Sequence, residues 1–440
     1  LSWLTVNAGL RYDIYTPLVE QNNHLSNIDL TTLKLIIAGQ NGASKTAGVK
    51  TDYGNLAPRL GFSATLPGRT VLRGGFGMTY FPGNYMSQSL LKNAPFVSTY
   101  GPVNSSGQSG AIPNLTLADG LPLPTAGDAV NLAGTIIGVS QDFKSTRVNQ
   151  FNLFAEKEFA GNVFGAGYVG SRGSNVAFVV PNLNLAPAGP GAIQARRKFF
   201  AQLPGVTTIG LFASDFTSTY NALQLVFQRR YRNGLTASSN YSLAHTQWTQ
   251  PTPNDPTIIE KFDADFDVRH RFVFSTNYEI PFGKSFTGPA KYVLAGWQVN
   301  VVAYWQSGLP FNVTNNTARA NTGANNDRPN LVGNPELDNP TVAQWFNVSA
   351  FALQDNNTIG NAPRNVLHGP PARRLDLSLF KDFTLGGATR LQLRYECYNL
   401  TNTPSFANPT SALGAPGFGS ITSTGNNIPR QMQFAAKLLF

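Results

Sequence analysis

Two short stretches of the sequence, and one scattered group of histidines with a cysteine, have residue types that could support chemistry. The first, Gly165-Ala-Gly167-Tyr-Val-Gly170, has the spacing of dinucleotide-binding glycines. Such glycines hold a phosphate only where a helix begins directly after them, and no helical pattern follows here. We therefore expect these glycines to ease packing inside a strand rather than to bind a nucleotide.

The second stretch, Asp-Ala-Asp-Phe-Asp at 263–267, begins like a calcium-binding loop. Its sixth position is Val268 rather than Gly, and its twelfth is Phe274 rather than Glu, so an EF-hand is excluded. Two readings remain for these carboxylates. They could hold a divalent cation loosely in an external loop, or they could form ion pairs with Arg269 and Arg271 at a solvated rim.

Histidine and cysteine, the third group, do not support an enzyme or a metal centre. The four histidines lack metalloprotease spacing, and the sequence has no Gly-x-Ser-x-Gly elbow. These histidines are His24, His245, His270 and His368. The single cysteine, Cys397, excludes an intrachain disulfide and a multi-cysteine metal site, and we expect it to pack beside Leu393 and Tyr395. We therefore expect no catalysis, no cofactor and no metal.

The composition favours a folded protein that is unusually poor in charge. Among 440 residues, 33 Lys and Arg stand against 23 Asp and Glu, which gives a formal net charge of +10. Charged residues make up 13% of the chain, about half the usual share, and no apolar run is long enough for a membrane-spanning helix. The chain starts Leu1-Ser2-Trp3 without a signal segment, so we expect a mature or truncated piece of a longer protein.

Apolar and polar residues alternate along most of the chain, which predicts strands with one apolar and one polar face. In 4–14, for example, the even positions are apolar and the odd positions are polar or Gly. Helical periodicity is nearly absent, and only 341–346 suggests a short helix. The predicted strands lie at about 4–14, 56–66, 72–80, 146–159, 163–172, 220–231, 235–249, 267–280, 293–306, 373–384, 389–400 and 430–440.

Short and long connections alternate between these twelve strands. The short ones include a Pro-Gly-Arg turn, an Asn-Gly turn and the stretch 282–291. Since alternate connections open at opposite ends of a meander, the pattern predicts tight periplasmic turns and long external loops. The predicted external loops lie at about 16–54, 82–145, 173–219, 250–266, 307–372 and 401–429.

Two further features favour a membrane barrel over a soluble all-β protein, which alternation alone does not exclude. Strands of this length, tilted by about 40°, span about 25 Å, which matches the apolar band of a barrel. Trp297 and Trp305 flank three apolar residues on one face of a strand, as expected for an aromatic belt at both membrane interfaces.

The last strand also has the form of an assembly signal. Its apolar face includes Met432, Phe434, Leu438 and Phe440, and the chain ends on that aromatic residue. Soluble proteins rarely end on such a strand, because chain termini usually fray. The pattern is similar to the C-terminal signal that the barrel-assembly machinery reads in bacterial outer-membrane proteins.

Nearly the whole chain resembles the C-terminal barrel portion of TonB-dependent receptor-like proteins of the Oar-like type. The segments that carry the resemblance include Val6-Asn-Ala-Gly-Leu-Arg-Tyr-Asp13, Tyr168-Val-Gly-Ser-Arg-Gly173, Phe266-Asp-Val-Arg-His-Arg-Phe272 and Leu375-Asp-Leu-Ser-Leu-Phe-Lys-Asp382. The resemblance implies a 22-stranded barrel filled by an N-terminal plug. The chain would then be a fragment of about 12 strands, with the plug and the TonB-binding segment outside it.

The basic residues are scattered, so we expect no nucleic-acid partner. Most lie on predicted polar faces, where Arg would pair with carboxylates or with plug groups in the lumen. The lumen-lining candidates are Arg11, Asp13, Arg59, Arg73, Arg374, Asp376, Arg390, Arg394 and Glu396.

These features together predict an all-β, antiparallel transmembrane barrel in the bacterial outer membrane. The resemblance implies a TonB-dependent receptor or transporter that binds an unknown external ligand and takes it up. The alternative is a receptor-like barrel with a structural, adhesion or secretion role at the cell surface. The expected partners are outer-membrane lipid, the plug, TonB and the barrel-assembly machinery.

Overall fold

A computed structural model describes residues 2–83, 91–97, 132–324, 327–425 and 429–440. Twelve long strands form one antiparallel sheet in which every strand pairs with its neighbours in the chain. We label them β1 (Leu4–Tyr12), β2 (Leu56–Leu66), β3 (Thr70–Phe81), β4 (Thr146–Phe159), β5 (Asn162–Val180), β6 (Gly205–Arg232), β7 (Leu235–Pro251), β8 (His270–Glu279), β9 (Trp297–Gln306), β10 (Ala372–Gly386), β11 (Thr389–Tyr398) and β12 (Gln431–Leu439).

This meander confirms the predicted all-β fold, and most strand bounds agree with prediction to within a few residues. β1 and β12 form the two edges, and within the described residues each pairs along one side only. The predicted strand at 56–66 coincides with β2, Leu56–Leu66. Within the described residues, no helix is long and apolar enough to cross a membrane.

The register of the strands sorts the side chains onto two faces of the sheet. Leu60 lies opposite Ala8 and Phe76, and Phe76 also lies opposite Phe151. Because directly opposed residues share a face, the apolar positions of successive strands join into one continuous apolar face. The other face is polar, as where Ser378, Glu396 and Gln433 lie in one row across β10, β11 and β12.

Short turns join the strands at one end of the sheet, which we call the short-turn end. In the turn between β6 and β7, Asn233 and Gly234 have φ values of 54° and 81°, as a type I′ turn requires. The connection 280–296 departs from the prediction, because it holds the single α-helix of the described residues, α1 (Pro289–Leu294). Pro289 suits the first position of a helix, and β9 therefore begins at Trp297 rather than near 293.

The described parts of the connections at the opposite end, the long-connection end, contain short strands of their own. Residues 84–90 and 98–131 of the predicted loop 82–145 lie outside the described residues. Ser26–Asp29 pairs with Lys34–Ile37, Ala133–Val139 runs parallel to β6, and Ile259–Asp263 pairs with β7. Short strands occur at Pro310–Phe311, Thr314–Asn315, Asn330–Leu331, Phe351–Ala352, Leu367–His368 and Ala412–Leu413, and 3₁₀ turns at Gln194–Arg196 and Val348–Ala350.

Two predictions for this end are wrong. The predicted helix at 341–346 is absent, because Phe346 is fully buried against Phe311, Phe351 and Phe418 in the cluster that joins two long connections. The predicted loop 173–219 is about half strand, since β5 runs on to Val180 and β6 begins at Gly205. The polar and glycine-rich composition of this stretch hid the extension, whose apolar side chains are buried against each other.

Candidate functional site

A cavity of about 540 Å³ lies on the polar face near the long-connection end of β5 to β8. Tyr220 of β6 lines it, opposite Ser171 of β5 and Thr246 of β7. Trp248 follows on β7, and Phe266 closes the cavity from the connection between β7 and β8. Four neighbouring strands and one long connection therefore build the site together.

The lining combines aromatic rings, hydroxyl groups and one cation. The rings of Trp248 and Phe266 meet edge to face, with their centroids 5.2 Å apart. Arg271 lies opposite Ser242 and reaches the same cavity. The residues that line the cavity include no carboxylate, and Arg271 has no ion pair within the described part of the chain. Such a lining suits a ligand that presents a flat apolar face together with negative or hydrogen-bond-accepting groups.

Arg269 binds two carboxylates beside the cavity, those of Asp263 and Asp267. Its Nη2 lies 2.7 Å from Asp263 Oδ2, and its Nε lies 3.4 Å from Asp267 Oδ2. The expected ion pairing therefore holds for Arg269 and is wrong for Arg271, which lines the cavity instead. His368 also approaches, so that one ligand atom each of Asp263, Asp267 and His368 lie within 4.8 Å of one another. The guanidinium of Arg269 already supplies to Asp263 and Asp267 the positive charge that a metal cation would bring.

The pKa of Asp263 lies below its usual value. Burial raises this pKa, but hydrogen bonds from His245 and Gln247, with the nearby charge of Arg269, lower it by more. The carboxylate consequently stays ionised and keeps the connection 252–269 attached to β7.

Further hydrogen bonds fix the connection that carries Phe266. Asn365 donates from Nδ2 to the backbone oxygen of Asp263 at 2.6 Å and to Asp265 Oδ1 at 2.7 Å. Arg328 forms a double hydrogen bond with Glu260, whose side chain is 18% exposed. These contacts tie the connections 252–269 and 307–371 to each other above the cavity, so its outer wall is a folded unit.

The predicted lumen-lining residues lie along the polar face but do not come together at one site. Four pairs are local: Arg11 with Asp13 at 2.6 Å, Arg73 with Glu156 at 2.5 Å, Arg374 with Asp376 at 2.8 Å and Arg390 with Asp382 at 3.9 Å. Arg394 donates to Gln392 and lies over the ring of Phe380, Glu396 accepts from Gln433, and Arg59 lies opposite Gly9 and Gly77.

The aromatic residues expected at the membrane interfaces lie on the apolar face. Trp305 stands opposite Phe272 towards the long-connection end, and Trp297 stands opposite Lys381 at the short-turn end. In the last strand, Met432, Phe434 and Leu438 lie opposite Cys397, Tyr395 and Leu391, which places all three on the apolar face. Phe434 is 82% exposed and the terminal Phe440 is 96% exposed.

The glycine pattern 165–170 lies inside β5, and Gly167 and Gly170 lie under aromatic rings of β4. A Cβ atom at Gly167 would meet the ring of Phe154 at 2.2 Å, and one at Gly170 would meet Phe151 at 2.3 Å. Both pairs are directly opposed in the register. The glycines thus make room for neighbouring rings, as expected from the sequence.

Sequence reasoning missed Tyr220, Trp248 and Phe266. A usable signal existed for the two strand residues, because Tyr220 and Trp248 are aromatic at positions that alternation assigns to the polar face. Phe266 lies in a connection, and no local pattern indicates that it reaches the cavity.

Comparison with known proteins places the chain in a family. A family model described as an outer membrane beta barrel domain matches residues 1–433. No curated protein matches the chain. Similar solved structures include the outer-membrane transporter YddB of Escherichia coli, with 9% identity over 88% of this chain and 41% of that one, at a TM-score of 0.46.

Two further similar structures are receptors or transporters of iron compounds. The ferric enterobactin receptor of Pseudomonas aeruginosa has 13% identity over 88% of this chain and 40% of that chain, at a TM-score of 0.45. The FrpB iron transporter of Neisseria meningitidis has 11% identity over 99% of this chain and 43% of that chain, at a TM-score of 0.44. The chain thus spans about two fifths of the length of these proteins.

Proposed function

The chain belongs to the family of outer membrane beta barrel domains, and we propose that it forms part of the wall of a receptor that binds an external ligand and takes it up. As a member of this family it lies in the bacterial outer membrane. The apolar face then contacts lipid, and the polar face lines the interior of the barrel. The long connections extend outside the cell, and the short turns reach into the periplasm.

The cavity at the long-connection end carries this proposal. It opens on the interior face just below the folded connections, where an incoming ligand first meets the barrel. Arg271 offers a guanidinium without an ion pair in the described part of the chain, and Trp248 and Phe266 offer rings beside it. This combination favours a small anionic ligand with a flat ring or sugar face.

Coupling to energy is the second part of the proposal, and the resemblance of the sequence to TonB-dependent receptors supports it. In such a protein a plug would fill the barrel, and TonB would act on that plug from the periplasm. This chain would contribute the wall, the interior lining and the external connections, and would perform no chemistry on the ligand. The barrel-assembly machinery would read β12 and the terminal Phe440.

Binding of ferric enterobactin, an anionic aromatic ligand, tests the proposed site. The full-length protein is purified in detergent, and tryptophan fluorescence quenching reports the dissociation constant. We expect Arg271→Gln to weaken binding about 10- to 100-fold, because one charge-assisted hydrogen bond contributes about 1.5–3 kcal/mol. Trp248→Ala should weaken binding as well. The dissociation constant of this variant is measured by competition, because the substitution removes a tryptophan whose fluorescence reports binding.

The matched control is Arg230→Gln, which removes the same charge from an exposed residue near the short-turn end of β6. This variant should bind like the wild type. Equal binding by wild type and Arg271→Gln would contradict the proposed site. The neutral sugar maltoheptaose, used as a second probe, should compete less well than an anionic ligand.

A further inference from the structure

The apolar face changes character at the long-connection end of β4 to β7. Two rows of polar side chains cross these strands on the face that otherwise carries aliphatic and aromatic residues. The row nearer the membrane centre contains Asn149, Arg172, Thr219 and Gln247, which lie opposite one another in the register. The next row contains Arg147, Ser174, Thr217, Thr249 and Lys261. We call these two rows the outer basic band.

The outer basic band directly borders the lipid-facing surface. The row on its membrane side is mixed and contains Phe151, Gly170, Asn221 and His245. The row beyond that is apolar and contains Leu153, Tyr168, Leu223 and Leu243. Residues two apart on a strand are separated by about 7 Å. Arg172 therefore lies about 7 Å from the row of Phe151, and Arg147 and Lys261 lie about 14 Å from it, at the depth where the headgroups of the outer leaflet meet the barrel.

The three cations of the band are available to bind a ligand. Arg147, Arg172 and Lys261 are all exposed. The side chains of Arg172 and Lys261 have no hydrogen bond or ion pair within the described ranges. Arg147 donates from Nε to Ser174 Oγ at 3.1 Å, which leaves its terminal nitrogens free in the same part of the structure.

Acidic groups near the band do not cancel these charges. Asp263 lies in the row of the band nearer the membrane centre, opposite Gln247, but Arg269 lies 2.7 Å from its carboxylate. Asp215 lies farther out along β6, beyond Thr217. The band thus keeps a positive charge next to hydroxyl donors such as Thr217, whose hydroxyl lies 3.1 Å from that of Thr249.

The short-turn end of the same face offers no comparable set. Lys381 is 6% exposed, donates from Nζ to the backbone oxygens of Ala295 and Asp382, and lies over the ring of Phe383 at 4.4 Å. Lys157 is exposed on β4 between Thr70 and Phe164. Arg229, opposite Ala237, donates from Nη1 to Asn162 Oδ1 at 3.4 Å, and exposed Arg232, opposite Leu235, donates to the backbone oxygen of Ala160 at 3.2 Å. Among the described strand residues at this end of the face, Lys157 is thus the exposed cation whose side chain has no partner, against Arg172 and Lys261 in the outer basic band.

We propose that the outer basic band binds the phosphate groups of phosphorylated lipids in the outer leaflet. Arg147 and Arg172 are diagonal neighbours on adjacent strands, so both guanidinium groups can reach one headgroup. A guanidinium pairs with two phosphate oxygens at once, and threonine hydroxyls can donate to the remaining ones. The occupant is a lipid because the band continues the lipid-contacting surface, on the opposite side of the wall from the ligand cavity.

Lipid retention by the full-length protein tests this proposal. The protein is purified in a neutral detergent with EDTA, incubated with diphosphoryl lipid A, washed on a column and assayed for retained lipid by native mass spectrometry. Loss of one basic side chain weakens attraction to anionic lipid about fivefold. We therefore expect the triple variant Arg147→Gln, Arg172→Gln, Lys261→Gln to bind about 100-fold more weakly than the wild type.

Single substitutions keep the test valid if the triple variant fails to fold. Arg172→Gln should bind about fivefold more weakly, and Arg172→Lys should bind with intermediate strength. The matched control is Lys157→Gln, which removes one charge from the same face of β4 at its other end and should retain lipid like the wild type. Heat-modifiable gel migration establishes that each variant is folded.

Three results would overturn the proposal. The first is equal retention of diphosphoryl lipid A by the wild type and by folded Arg172→Gln. The second is an equal loss in Lys157→Gln, which would show a general charge effect. The third is a complete loss of lipid retention in millimolar inorganic phosphate, which would show that the band is a site for soluble anions.

Discussion

Breaking the ion pair between Arg328 and Glu260 should release the external connections from one another. The pair joins the connection 307–371 to the short strand Ile259–Asp263, and the exposed fractions of its side chains are 13% and 18%. Arg328 Nη1 donates to Glu260 Oε2 at 2.7 Å, and Nη2 binds the other carboxylate oxygen. The substitution Arg328→Met keeps the length of the side chain but leaves Glu260 without its partner.

The expected cost follows from this burial. Removal of one partner from a buried ion pair destabilises a protein by about 3–5 kcal/mol, since the other charge stays desolvated. The pair here is partly exposed, so we take about 3 kcal/mol. At 1.36 kcal/mol per factor of ten, the population of the detached connection should rise about 160-fold.

Native-state proteolysis measures this population. When the segment opens and closes faster than the protease cuts, the cleavage rate follows the open fraction. We expect thermolysin to cut within 307–371 about 160-fold faster in Arg328→Met than in the wild type. The control is Lys50→Met, which removes a pair of similar length, 2.7 Å, whose side chains are 69% and 74% exposed, and which should leave the rate close to that of the wild type.

The double variant Glu260→Gln, Arg328→Met separates charge burial from lost packing. Without the buried charge, its cleavage rate should return most of the way to that of the wild type. The reasoning is refuted if Arg328→Met is cut no faster than the wild type, or if the double variant is cut as fast as the single one.

Three further predictions concern packing and pH. Gly167→Ala should destabilise the wall by about 1–3 kcal/mol and lower the yield of heat-modifiable protein, since the new Cβ would lie 2.2 Å from the Phe154 ring. The control Gly9→Ala should leave the yield unchanged, because a Cβ at Gly9 would have no atom within 4 Å. Phe346→Ala should cost about 3–5 kcal/mol and make 307–371 sensitive to protease, while the wall still migrates as a heat-modifiable barrel. Because the pKa of Asp263 is lowered in the folded state, its stabilisation should be fully present above the unfolded pKa of about 3.9 and be lost as the pH falls through the lower folded value. Pepsin cleavage of 252–269 should therefore rise with acidity below about pH 4 in the wild type, and Asp263→Asn should remove most of this dependence.

The wall was predictable because its determinants are local. Alternation of period two and the turn residues of strands such as β2 need no knowledge of distant residues, and neighbouring strands pair in chain order. The ion pair of Arg11 with Asp13 is likewise contained within three residues. Each of these features can be read from a short window of sequence.

The long-connection end was not predictable in the same way. Ala133–Val139 pairs in parallel with β6 about seventy residues later, and no local pattern encodes such a partner. The segment 341–346 has a weak helical pattern, but burial of Phe346 among three other rings determines its conformation instead. The ligand cavity depends on the register of four strands, which the sequence does not display.

The ordering of the strands also bears on how such a barrel can change in evolution. At the short-turn end each hairpin touches only the hairpins beside it, so duplication or loss of one would alter the circumference without disturbing any other register. At the long-connection end Asn321 donates to backbone oxygens of Gly189 and Gly191, and Arg328 binds Glu260. Phe418 of the last connection also packs against Phe346, and Asn27 of the first connection binds the backbone of Val139 beside β6. Because of these contacts between connections, the loss of one hairpin would remove contacts that hold another hairpin's connection in place. We therefore expect lineages of this protein to vary in the short turns and to conserve the number of strands whose long connections are cross-linked in this way.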